Sequence, residues 1–158
     1  MANTQSMCTS FMGELLTATH NFGTAPTRAS SAADTFRGAL YLASATINAS
    51  TTVYSTTGEV TGTGYSAGGV VVTNATPPTA TNASSTAGVA YWTPSASLTY
   101  TSVTLTTAFD AVLIYNASQS NKAVSVHTFG SQTITAGTFT LTMPVNSTTT
   151  ALLRLATT

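Results

Sequence analysis

The stretch TFTLTM, residues 138–143, decides the fold class of this chain. Its apolar residues are Phe139, Leu141 and Met143, and a threonine precedes each of them. Successive side chains of a β-strand point to opposite faces, so the pattern predicts a strand with one apolar and one hydroxyl-bearing face. Threonine is β-branched and keeps the wet face of a strand β-prone without adding charge.

A similar strand-like pattern extends over the chain from Phe36 onward. Short apolar or alternating runs are separated by Gly, Pro, Asn and Ser; the runs are FRGALYLA, TTVYS, GGVVVT, GVAYWT, SLTYTSVTLT, FDAVLIY, AVSVHTF, TFTLTMP and ALLRLA. About nine short strands at this spacing predict a mainly β fold, a single antiparallel β-sandwich or jelly-roll-like domain. In SLTYTSVTLT the apolar phase slips by one residue between Tyr100 and Val103, which predicts a β-bulge there.

The first part of the chain has a different pattern. In TSFMGELLTATHNF, residues 9–22, apolar residues recur at helical spacing, which predicts a short N-terminal amphipathic helix. The following GTAPTRASSAAD is typical of a linker, so we divide the chain into a helix and linker over 1–31 and a β-domain over 32–158. Two interpretations of the apolar helix face remain open: an attachment face for another protein, or a cap on one end of the β-domain. The residues of that face are Phe11, Met12, Leu15 and Phe22.

The chain is almost uncharged. Four Lys or Arg and four Asp or Glu give a net charge of zero, and 5% of the residues are charged against roughly 25% in ordinary soluble domains. With 42% hydrophobic residues, the composition does not fit a disordered chain. So little charge offers little resistance to self-association, which predicts a homo-oligomer, with a trimer as the first expectation.

Composition also argues against several classes of partner. Without a basic cluster, the phosphate-neutralising term that dominates nucleic-acid affinity is missing, so we predict no nucleic-acid partner. No run is long enough for a membrane span, and the N-terminus lacks the basic-then-apolar order of a secretory signal. No His, Cys or carboxylate pair has metal-ligand spacing, and Cys8 is the single cysteine, so we predict no metal and no cofactor.

One motif suggests an enzyme. GYSAG, residues 64–68, matches the G-x-S-x-G nucleophile elbow around Ser66, and Asp110 and His127 follow in the order of the hydrolases. However, the sequence after Ser66, AGGVVVTNATPP, cannot start the helix that the elbow requires, and alternating parallel strands and helices are absent. We therefore predict a Gly-rich loop in a protein that is not an enzyme, and keep a serine hydrolase as a third hypothesis for testing.

The two other residues of that motif have simpler interpretations. Asp110 is expected to be a strand-end carboxylate paired with Lys122 or Arg37. His127 alternates with the valines beside it in AVSVHTF, so it points away from their face. That position predicts a surface or interface histidine.

Several stretches resemble a family of short structural proteins of tailed bacteriophages. The most specific are TTGEVTGTGYSAGGV, residues 56–70, and VLIYN, residues 112–116, followed by HTFGS, residues 127–131. The resemblance covers nearly the whole chain and implies a component of the virion, assembled in the host cytoplasm. No catalytic residue comes with it.

From the resemblance and the composition we expect a capsid decoration or cement protein, located in the virion and bound to the major capsid protein. The alternative is a tail or fibre component that binds a receptor or glycan on the host surface. Its candidate sugar-stacking residues are Tyr65, Tyr91, Trp92 and Tyr100, although aromatic residues on strands more often belong to the core. The sequence does not separate capsid from tail.

Overall fold

The computed structural model describes residues 3–8, 11, 15, 19–20, 22, 33–73, 78–81 and 88–156. The elements of this part of the chain are β1 (Ser6–Met7), β2 (Phe36–Leu42), β3 (Val70–Val71), β4 (Thr79–Ala80), β5 (Val89–Trp92), β6 (Leu98–Asn116), β7 (Lys122–Leu141) and β8 (Leu153–Ala156). All their pairings are antiparallel, in a five-stranded sheet of order β1-β7-β6-β2-β3 and a three-stranded sheet of order β4-β5-β8. The predicted mainly β, antiparallel fold is confirmed.

The long hairpin of β6 and β7 is the centre of the larger sheet. Its strands have 19 and 20 residues, so four predicted short runs are in fact two continuous strands. Bulges make this possible, because each extra residue leaves the ladder and lets pairing resume beyond it. The predicted bulge is confirmed: the register shifts between Tyr100 and Val103, and Ser102 lies between them with a φ of 54°.

The strand predictions fail where pairing comes from a distant partner. β1 was not predicted; Ser6 and Met7 form a strand because they pair with Val126 and Ser125 of β7. β4 lies between the predicted runs GGVVVT and GVAYWT, in a stretch rich in Pro, Asn and Ser. Conversely, TTVYS contributes an isolated bridge from Val53 to Lys122 rather than a strand.

Aromatic side chains join the two sheets. Phe36 of β2 and Trp92 of β5 have ring centroids 6.2 Å apart, and Phe22 stacks on Phe36 at 4.3 Å and meets Trp92 edge-on at 4.8 Å. Such contacts add to the burial energy of the rings. Phe22 therefore belongs to the core between the sheets.

The predicted N-terminal helix is not among the elements of the described residues. Most of residues 9–22, including Met12, and residues 23–32 of the linker lie outside them. Phe11 and Phe22 are buried, and Leu15 packs against the same core. The described members of the proposed attachment face thus contact this chain's own core, as the cap interpretation expects.

Candidate functional site

The Gly-rich loop between β2 and β3 is held by one carboxylate. Glu59 is 5% exposed. Its Oε2 accepts a hydrogen bond from Tyr54 Oη at 2.6 Å, and its Oε1 accepts from Tyr65 Oη and Gly68 N, both at 2.7 Å. A buried carboxylate is tolerated only with such donors, and hydrogen bonds to a charged acceptor are the strong ones. Glu59 therefore ties three separate points of the loop together.

A second set of bonds fastens the same loop to the sheet. Arg37 of β2 donates from Nε to Gly68 O at 3.1 Å and from Nη2 to Gly69 O at 2.5 Å. Tyr115 of β6 donates its hydroxyl to Gly68 O at 3.0 Å. The guanidinium and the carboxylate thus both act on the turn around Gly68.

Two glycines in this loop are required by close approach of the backbone. Gly69 has a φ of +67°, and a Cβ there would lie 1.7 Å from Gly38 O. Gly64 has a φ of +77°, and a Cβ there would lie 2.2 Å from Ser102 O. No other residue fits either position without moving the backbone. The motif that resembles a nucleophile elbow is therefore explained by the packing of the loop on β2 and β6.

The tyrosines around this loop are held in their neutral form. Burial raises the pKa of Tyr41 to about 12. Burial, and then the hydrogen bond to Glu59, raise the pKa of Tyr54 and Tyr65 above the ordinary value. Burial is also the main reason why the pKa of Tyr100 and Tyr115 is raised.

Ser66, Asp110 and His127 are not hydrogen-bonded to one another. Ser66 has an exposed side chain in the turn that Gly69 N closes onto its carbonyl oxygen at 3.0 Å. Asp110 Oδ1 accepts from Asn3 Nδ2 at 2.6 Å, so its partner is neither Lys122 nor Arg37 as predicted. His127 Nε2 lies 2.8 Å from Ser125 Oγ.

The Ser125–His127 pair lines a cavity of about 330 Å³ between β1, β7 and residues 151–154. The other polar side chains around it are those of Gln5, Ser6 and Arg154. Burial lowers the pKa of His127 to about 4, so the ring is neutral at pH 7. A base with so low a pKa is poorly matched to proton abstraction at neutral pH. The pair is better suited to hydrogen bonding with a ligand.

A third polar group ties the N-terminal segment to the turn between β6 and β7. Asn116 is fully buried. Its Nδ2 donates to Asp34 Oδ2 at 2.8 Å and lies 3.0 Å from His20 Nδ1, while Gln119 Nε2 donates to Asp34 Oδ1 at 3.2 Å. Sequence reasoning missed this cluster because Asn116 stands 82 residues from Asp34 and 96 from His20.

The proposed sugar-stacking surface is not assembled as predicted. Trp92 and Tyr100 are 2% and 3% exposed, so their rings cannot stack on a ligand at the surface. Tyr65 is partly exposed, but its hydroxyl is bound to Glu59. Tyr91, also partly exposed, lies beside Trp92 next to a small apolar cavity. Trp92 and Tyr100 point into the core, as the core interpretation of such aromatics expects.

The described part of the chain contains neither a metal-binding cluster nor a membrane-spanning helix. Its His, Cys, Asp and Glu residues nowhere form a group of three that could hold a metal ion. Within the same residues, no helix is long and apolar enough to cross a membrane.

Comparison with known proteins gives no match to a protein-family model, a curated protein or a solved structure.

Proposed function

We propose that the protein is a non-enzymatic structural component of a bacteriophage virion, a β-sandwich-type module that decorates or cements the capsid. The observation that carries the proposal is the internal use of charge. Arg37, Asp34, Glu59 and Asp110 all make hydrogen bonds within the fold. Four of the eight charged residues thus stabilise the fold by internal hydrogen bonds, which supports a long-lived structural module.

The surface that remains is rich in hydroxyl groups. We define the ribbon as residues 98–108 of β6 and 129–141 of β7, which carry no charged side chain. Its exposed residues include Thr99, Thr101, Thr106, Thr138 and Thr140. Within the described residues, β7 beyond Thr128 pairs with β6 alone, so its outer edge has no second strand. Soluble monomers usually protect such edges with charge, and its absence here supports permanent contact with neighbouring subunits.

Durability supports the same proposal. The protein has a single cysteine, Cys8, so it has no intrachain disulfide. The bonds of Glu59 and Arg37 fix the long connection between β2 and β3 instead. The contact between Phe36 and Trp92 supports packing of the two sheets against each other as a sandwich. A module of this kind survives outside the cell through packing and buried hydrogen bonds.

The test is quantitative mass spectrometry of purified virions of the phage that encodes the chain, with peptides of the major capsid protein as the internal standard. A decoration protein repeated by the symmetry of the head is expected at on the order of hundreds of copies per particle. About six to a few tens of copies would instead support the tail alternative. Absence from washed particles would overturn the virion role itself.

Self-association is tested separately by sedimentation of the purified protein. The uncharged ribbon and zero net charge predict an oligomer, with a trimer as the first expectation. A stable monomer at high concentration and low salt would contradict this part of the proposal.

A further inference from the structure

The cavity beside His127 has the chemistry of an anion site. The donors around it come from three segments: Gln5 and Ser6 at β1, Ser125 and His127 on β7, and Arg154 on β8. Among the described residues that line it there is no Asp or Glu. In a chain with only four Lys or Arg in total, one of them lies at the rim of this cavity.

Arg154 is available to a ligand there. Its side chain is exposed, and its Nε donates to Thr148 O at 2.6 Å. That bond fixes the base of the guanidinium while both terminal nitrogens keep their donors. An arginine held in this way can present a planar pair of N–H groups to an oxyanion.

Among the described residues, the acidic group of the strand next to β7 does not compete for the site. Asp110 of β6, whose strand pairs with β7, has Oδ1 bound to Asn3 Nδ2 at 2.6 Å. The polar residues that line the cavity together with His127 are neutral or cationic: Gln5 before β1, Ser6 of β1, Ser125 of β7 and Arg154 of β8.

We propose that this cavity binds a small oxyanion of the sulfate, phosphate or carboxylate type, with Arg154 as its charge partner and Ser125 and His127 as hydrogen-bond donors. With the anion bound, the neutral ring of His127 at pH 7 can donate from one nitrogen, toward Ser125 Oγ, and the ring that is protonated at lower pH can donate from both. The serine hydroxyl is then released to donate to the anion. The inference is independent of the virion role, because it rests on the cavity and its lining alone.

The test uses the low pKa of His127 as the reporter. An anion stabilises the charged ring, so the titration midpoint of His127 rises when the anion is bound, by about one pH unit at saturation. By linkage, anion affinity rises as the pH falls. The probes are sulfate and acetate, followed by NMR of the histidine ring resonances, with sodium chloride at matched ionic strength as reference. His20 is the only other histidine and serves as an internal control.

Arg154→Gln should abolish the anion-dependent rise in the titration midpoint of His127. Lys122→Gln removes a positive charge outside the cavity and should leave this rise unchanged. A rise with sulfate alone indicates a tetrahedral oxyanion, and a rise with acetate alone indicates a carboxylate; either supports the proposal. No rise beyond the chloride reference, or a rise that persists in Arg154→Gln, overturns it. Since Arg154 is exposed, the variant should remain folded, which its circular dichroism spectrum verifies.

Discussion

Replacing Glu59 by alanine tests the idea that one carboxylate organises the Gly-rich loop. Hydrogen bonds to a charged group contribute about 1.5–3 kcal/mol each, and Glu59 accepts three of them. Their simple sum overstates the loss, because Tyr54 and Tyr65 can turn their hydroxyls toward water. Gly68 N is buried and has no such option. We therefore expect Glu59→Ala to lower the free energy of unfolding by about 4 kcal/mol, a large share of the stability of a small domain.

Glu59→Gln separates charge from shape. The amide oxygen can still accept from Tyr65 and Gly68, and the Tyr54 hydroxyl can accept from the new amide group, so the expected loss is about 1–2 kcal/mol. Thr61→Ala, an exposed change in the same loop, is the control and should cost within about 0.5 kcal/mol.

The assay for these variants is urea unfolding, followed by far-ultraviolet circular dichroism and by the fluorescence of the single tryptophan, Trp92, which is 2% exposed. A loss within about 1 kcal/mol for Glu59→Ala would refute the view that the carboxylate holds the loop. Equal losses of unfolding free energy in the alanine and glutamine variants would refute the role assigned to the side-chain oxygen that glutamine keeps as an acceptor for Tyr65 and Gly68.

Three further predictions address the loop, the tyrosines and the N-terminal segment. Gly69→Ala should lower the free energy of unfolding by about 3 kcal/mol or more, because Gly69 has a positive φ and an added Cβ would clash with Gly38 O. Thermal or urea unfolding measures this. The control is Gly130→Ala, where nothing lies within 4 Å of an added Cβ; it should change the free energy of unfolding by no more than about 0.5 kcal/mol. The pKa values of five tyrosines are raised above the ordinary value of 10, so above that pH the folded state binds more protons than the unfolded state and the free energy of unfolding should fall as the pH rises. Tyrosinate absorbance should therefore appear together with unfolding. Gradual ionisation of these tyrosines in a protein that stays folded would contradict this. Deletion of residues 1–31 should abolish the cooperative thermal transition, because it removes the buried Phe11 and Phe22 and so lowers the free energy of unfolding by on the order of 5 kcal/mol. A truncated protein that folds but does not bind to particles would instead support the attachment interpretation.

The fold class could be predicted because its signals are local. Alternation and turn residues act over a few positions, and even the bulge near Ser102 is visible as a slip in the apolar phase. Strand length and the smallest strands could not be predicted in this way. Ser6 and Met7 have no strand pattern of their own and pair with residues more than a hundred positions away. Gly130 and Gly137 suggest a break in β7, yet pairing with β6 carries the strand through both.

The candidate sites were harder to predict for a related reason. A glutamate in the Gly- and Thr-rich stretch TTGEVTGTG, residues 56–64, is typical of an exposed turn. Glu59 is buried because Tyr54, Tyr65 and Gly68, five to nine residues away, converge on it when the loop closes. The cavity beside His127 needs three segments that are far apart in the chain, so no spacing indicates it.

The placement of the N-terminal residues changes where attachment to other subunits should be sought. Asn3 donates to Leu42 O of β2 and to Asp110 Oδ1 of β6, and it accepts from Ile47 N in the connection between β2 and β3, so it is fastened to two strands and one connection. Phe11 and Phe22 add burial to these bonds. Phe11, Leu15 and Phe22 of this segment thus pack on the core of this chain. The surface that offers hydrogen-bonding groups to a neighbouring subunit is the ribbon, where an unpaired strand edge and exposed threonines lie together. If the protein assembles as proposed, contacts between subunits made there would use main-chain hydrogen bonds and hydroxyl groups and would need few charged residues.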